Sequence, residues 1–128
     1  MSQSITPIVA DKAPAALGPY SAGMAFQNLL FLSGQTPIDP KTGDLVAGGV
    51  AEQTAQVINN LGAVLEAAGS GFDKVIKTTC FLTDMANFAA FNEVYGKAFI
   101  SKPARSTVAV RALPKNALVE IELIAYRD

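Results

Sequence analysis

The chain contains no histidine and no tryptophan, and its single cysteine is Cys80. The missing histidine removes the commonest acid–base group and the commonest metal ligand. One cysteine allows no internal disulfide, and no Cys/His cluster suggests zinc. The lack of a disulfide framework fits a reducing compartment. An excess of one charge is missing too: 10 Lys and Arg stand against 11 Asp and Glu, a net charge of −1. That balance sets up no strong field for nucleic acid or an anionic membrane. No apolar run approaches the roughly 20 residues that span a bilayer. The opening segment, MSQSITPIVADKAPAALGPY, has no basic region followed by an apolar run and does not read as a secretory signal. A soluble, cytoplasmic protein without metal or cofactor is expected.

What is present suits one domain over residues 1–128, with 50% hydrophobic residues to build a core. SITPIV, residues 4–9, reads as a strand that Pro7 confines to an edge. GMAFQNLLFLSGQ reads as two short strands folded about Gln27-Asn28. A stripe of Val50, Thr54, Val57, Leu61, Val64, Leu65 and Ala68 in steps of three and four predicts a helix, with Gly69 suited to its left-handed stop. FDKVIKTTCFLT, rich in β-branched and aromatic residues, predicts a central strand in which Cys80 packs. Asp84 suits the cap of a second helix, MANFAAFNEVYGKAF, whose stripe runs through Met85, Phe88, Phe91, Tyr95 and Phe99. Two closing strands follow, at 104–112 and 118–126, joined by LPKNA. GSGFDK lacks the spacing of a phosphate loop.

Strands, helix, strand, helix, strands: this order predicts an α+β architecture, with two helices on one face of a mixed sheet. The closing strands carry apolar residues on both sides. Val108, Val110, Val119, Ile121 and Leu123 are expected on one face, and Ala109, Leu118, Ile124 and Tyr126 on the other. Two helices cannot cover both, so association of subunits through the open face is expected.

Alternation along PARSTVAV sets Arg105, Thr107 and Arg111 on one side of their strand. Alternation along VEIELIAY sets Glu120 and Glu122 together. If the two strands pair, arginines can meet glutamates. Two readings follow. In one, Arg105, Arg111, Glu120 and Glu122 form cross-strand ion pairs on a solvated face. In the other, the Arg105 fork stays available for a ligand carboxylate, with a glutamate nearby to handle protons.

The blocks APAALGPYSAG, FLSGQTPIDPKTG, QTAQVINNLGAVLEAAG, VIKTTCFLTDMANFAAFNEVY, PARSTVAV and LPKNALVEIELIA, running in order over roughly 11–126, together resemble the Rid (YjgF) family of reactive intermediate deaminases. The resemblance implies a chorismate-mutase-like α+β fold with a six-stranded sheet. It implies a homotrimer with clefts between subunits, and hydrolysis of 2-imino acids, tautomers of 2-aminoacrylate and 2-aminocrotonate, to 2-keto acids and ammonia. Pyridoxal-phosphate-dependent serine or threonine dehydratases release these enamines, and the deaminase itself uses no cofactor. By position, Arg105 would bind the substrate carboxylate and Glu120 would position water. Tyr20, Ser33, Gly34, Asn92 and Thr107 would line the pocket. Thr107 stands where some relatives have cysteine, and the connection YGKAFISKPAR is short, both of which bear on substrate size. A non-catalytic regulatory trimer and an endoribonuclease or translation inhibitor are the alternative functions the family suggests. The near-zero charge and the missing histidine oppose the ribonuclease.

Overall fold

In the computed structural model, which describes residues 4–128, the apolar stripe forms helix α1, Val50–Ala67. Val57, Leu61, Val64 and Leu65 are fully buried along it. At its start the Glu52 carboxylate accepts the Gly49 N–H at 2.8 Å. That contact satisfies an orphan donor and sets negative charge at the positive end of the helix dipole. At its end Gly69 adopts φ +80°. The Gly69 and Ser70 N–H groups donate to the carbonyls of Glu66 and Leu65 at 3.0 and 2.9 Å, the left-handed stop the sequence predicts. Leu61→Ala is expected to cost about 2–5 kcal/mol of unfolding free energy, through lost burial and the cavity left behind. Urea denaturation followed by circular dichroism measures it.

Among the described residues six strands form one sheet: β1 (Thr6–Ile8), β2 (Gly23–Phe26), β3 (Leu29–Gln35), β4 (Val75–Leu82), β5 (Ala104–Ala109) and β6 (Val119–Tyr126). Their order is β1-β2-β3-β6-β4-β5. β1 takes an edge, as Pro7 requires. β2 and β3 turn about Gln27, which holds φ +55°. β4 lies inside the sheet, as predicted. Asp84 accepts the Ala86 N–H at 2.9 Å and opens a short 3₁₀ turn, Met85–Asn87. Helix α2, Phe88–Ala98, follows it. The inward stripe therefore begins at Phe88, and Met85 is 44% exposed, contrary to the expectation that it packs inward.

The two closing strands do not pair with each other. β5 runs parallel to β4, and β6 runs antiparallel to β4 on its other side. The α2 crossover imposes this, because a strand–helix–strand connection returns parallel to its start. Composition agrees. The alternate residues Val119, Ile121, Leu123 and Ala125 of β6 are all buried, which suits an interior strand, while no residue of β5 is fully buried, which suits an edge.

Both helices cover one face of the sheet. Beneath them lie Leu30 and Leu32 of β3, Cys80 and Leu82 of β4, and the buried row of β6. Val108 does not join that row. Phe81 is in register with both Val108 and Glu120, so Val108 belongs to the open face with Ile124 and Tyr126. That face leaves Phe31 43% and Val108 45% exposed.

Candidate functional site

Three of the expected site residues converge at the β5 edge, under α2. Arg105 sits on β5 opposite Thr78 of β4. Its Nη1 donates to Asn92 Oδ1, one turn into α2, at 2.7 Å. The guanidinium carbon lies 4.7 Å from the centroid of the Tyr95 ring, with Phe88 at 5.5 Å and Phe91 at 5.9 Å. Aromatic faces attract a cation, and more so where water is thinned. The ion pair found among the described residues joins Lys74 to Asp128. The cross-strand pairs of Arg105 and Arg111 with Glu120 and Glu122 therefore do not form, because β4 separates the strands that carry them. Arg105 is held by a neutral amide and by aromatic rings.

Thr107 shares that face of β5. Its hydroxyl is buried and has no hydrogen-bond partner among the described residues. Cys80, in register with Thr107, donates its thiol to Thr78 Oγ1 at 3.8 Å. Burial pushes the Cys80 thiol pKa up, against the opposing pull of the Thr78 hydroxyl and the Arg105 charge. Cys80 is a packing residue, as expected.

The other four expected residues lie around β3 and β6. Glu120 alternates with Val119 and Ile121, which are buried under α1, so its carboxylate points to the open face. Burial raises its pKa from the ordinary glutamate value, and the Glu122 charge raises it further. The β3–β6 register shifts between Leu32 and Gln35, a bulge that contains Ser33 and Gly34. A Cβ at Gly34 would stand 2.6 Å from Glu120 Oε2, so the carboxylate rests against bare glycine backbone. Ser33 Oγ donates to the Ser21 carbonyl at 2.6 Å. Tyr20, 55% exposed, lines with Gly34, Leu17 and Gln35 a cavity of about 40 Å³.

The expected site is thus divided within one chain. Arg105, Asn92 and Thr107 stand on the helix side of β5, while Glu120 and Gly34 stand on the other face across β4. Tyr95, expected only as a packing residue, touches Arg105 and places its hydroxyl 2.7 Å from Thr78 Oγ1. The signal for it was spacing: Asn92 and Tyr95 are three apart on one helix and so face the same way. Among the described residues no three His, Cys, Asp or Glu gather as metal ligands, and no helix is long and apolar enough to cross a membrane.

The family model described as Endoribonuclease L-PSP matches residues 10–127. The chain belongs to that family, the Rid family. The crystal structure of the Rid family protein YyfA from Yersinia pestis is 49% identical, with a TM-score of 0.93 over 96% of this chain and 99% of that one. The 2-iminobutanoate/2-iminopropanoate deaminase of Mus musculus is 46% identical, covering 99% of this chain and 96% of its own. Escherichia coli TdcF, crystallised with bound serine, is 40% identical, with a TM-score of 0.91 over 96% and 99% of the two chains. The sheet order and the paired helices of this Rid chain are those of its family's fold, as the sequence blocks implied.

Proposed function

We propose that this Rid protein hydrolyses small 2-imino acids to 2-keto acids and ammonia. The observation that carries the reading is Arg105: a cation seated on three aromatic rings, bonded to an amide and paired with no carboxylate among the described residues. A guanidinium so placed presents a planar fork to a small organic anion. The deaminase name of the mouse relative and the serine bound to TdcF, an amino acid with a carboxylate, support it.

Arg105 holds the substrate carboxylate, and Glu120 orients water toward the imine carbon. Water adds to the C=N carbon, Glu120 takes its proton, and the nitrogen is protonated in turn. The resulting carbinolamine collapses to the keto group as ammonia leaves. An imine is already electrophilic, so orientation and general acid–base help suffice, worth about 10²–10⁴-fold. Asn92, Thr107, Tyr20, Ser33 and Gly34 line the pocket. Because Arg105 and Glu120 face opposite sides of one sheet, the complete site forms between copies, Arg105 from one and Glu120 from the next, in a homotrimer closed through the open sheet faces. The imines come from pyridoxal-phosphate-dependent serine and threonine dehydratases in the cytoplasm.

Coupling the protein to a threonine dehydratase and following 2-ketobutyrate release tests the reading. Faster release than from the uncatalysed imine supports it. Binding of a keto acid without acceleration identifies a regulatory ligand-binding trimer instead. The family's ribonuclease description is the second reading, which salt-dependent micromolar affinity for RNA would favour.

Gly34→Ala should separate site from fold. The added methyl meets the mobile end of the Glu120 side chain rather than backbone. Turnover is expected to fall at least tenfold as the carboxylate is displaced, with stability changed by only about 1 kcal/mol. Steady-state kinetics beside a thermal melt show both.

A further inference from the structure

We propose that Tyr95 is a positioning residue that fixes the plane of the Arg105 guanidinium, and that Thr78 locks Tyr95 in place. The inference rests on Arg105 as the carboxylate anchor and adds what aims it. An arginine on a short edge strand has many rotamers to lose before it can grip a planar anion. The structure removes that freedom by a closed loop of contacts. Arg105 and Thr78 face each other in the β4–β5 ladder. The Thr78 hydroxyl bonds the Tyr95 hydroxyl at 2.7 Å, with both residues buried. The Tyr95 ring lies 4.7 Å from the Arg105 guanidinium carbon, nearer than Phe88 or Phe91. The loop therefore returns to Arg105.

The ring is also fixed from its own helix side. Phe99 stacks on it at 4.2 Å with planes 20° apart, and Phe99 in turn meets Phe72 edge-on at 5.2 Å. Asn92 takes Nη1 from a position three residues before Tyr95. Asn92 and Tyr95 hold the guanidinium at two points: one takes Nη1, and the ring of the other lies against its carbon. A polar bond inside an apolar layer is costly to leave half made, so Thr78 and Tyr95 specify one ring orientation where an all-apolar contact would allow several. Burial raises the Tyr95 pKa, so the hydroxyl stays protonated and available to this bond.

The test measures affinity and turnover together. The probe is 2-ketobutyrate, titrated calorimetrically into the intact protein, with the dehydratase-coupled assay run alongside. Tyr95→Phe keeps the ring and removes the hydroxyl. It is expected to weaken 2-ketobutyrate about 3–10-fold and to raise KM by the same factor with kcat nearly unchanged, the loss of one neutral hydrogen bond's worth of orientation. Thr78→Val should match it. The double variant should be no worse than either single, because both remove the same bond. Thr78→Ser, which keeps the hydroxyl, should bind like the unmodified protein. Additive losses in the double variant, or unchanged affinity in Tyr95→Phe and Thr78→Val while Arg105→Ala abolishes binding, would overturn the positioning role alone. Undiminished 2-ketobutyrate binding in Arg105→Ala would overturn the anchor and this inference with it.

Discussion

Arg105→Ala is expected to lower kcat/KM for 2-iminobutanoate by about 10²–10⁴. Two charge-assisted bonds between a guanidinium fork and a carboxylate contribute about 1.5–3 kcal/mol each, and every 1.4 kcal/mol is tenfold. In the proposed reaction the carboxylate that Arg105 holds does not change, so most of the loss should fall on KM. Arg105→Lys keeps the charge and loses the fork, and should recover only part of the deficit. The fold should survive. Arg105 lies on an edge strand and is only half-buried, and what the variant strands is the Asn92 amide and a set of rings that pack among themselves. Dehydratase-coupled kinetics beside a thermal melt check this. A variant that melts normally and turns over normally would remove the central reason to see an enzyme here.

Glu120→Gln should move activity and stability in opposite directions. Turnover is expected to fall about 10²-fold, since an amide cannot take a proton from water. Stability at neutral pH should rise. The folded Glu120 has a pKa raised first by burial and then by the charge of Glu122. The folded chain therefore holds its proton at a pH where the unfolded chain has released it. Stability from this group is complete below the unfolded carboxyl pKa and is lost as pH rises through the raised folded value. Glutamine never ionises and escapes that loss. Urea midpoints of the two proteins should converge in acid and diverge above the carboxyl range, with the variant the more stable. Turnover of the unmodified protein should fall in acid as Glu120 protonates, while the residual rate of the variant stays flat. A variant less stable than its parent at neutral pH would contradict the picture of Glu120 as a carboxylate whose ionised form is disfavoured by burial and by Glu122.

Much of the fold could be read from local pattern. The α1 stripe, its Gly69 stop, the edge position of β1 and the Asp84 cap each depend on a few neighbouring residues. What local pattern could not give was order in the sheet. The short connection LPKNA favours pairing β5 with β6 when only neighbouring residues are considered. The placement of β5 is instead governed by α2, which must return along β4 to bury Phe91, Tyr95 and Phe99. That one exchange moves Val108 to the open face and parts the arginines from the glutamates. The same limit applies to the site. Arg105 and Asn92 stand out in the sequence as polar residues in an apolar setting, and the structure joins them. Tyr95 reads as core in the sequence, because a phenol on an apolar stripe has the same spacing whether its hydroxyl is idle or, as here, tied to a strand.

The division of the site across the two faces of a sheet has a genetic consequence. If the site closes between copies as proposed, a copy lacking Arg105 still offers an intact Glu120 surface to its neighbour, and a copy lacking Glu120 still offers an intact Arg105. Neither inactive protein works alone, yet co-refolded in equal amounts they should rescue each other, with about one clefted junction in four drawing both sound halves by chance. Two dead alleles in one cell would then yield a living enzyme, whereas a chain crippled at both positions would silence two of the three junctions in any trimer it entered and rescue none.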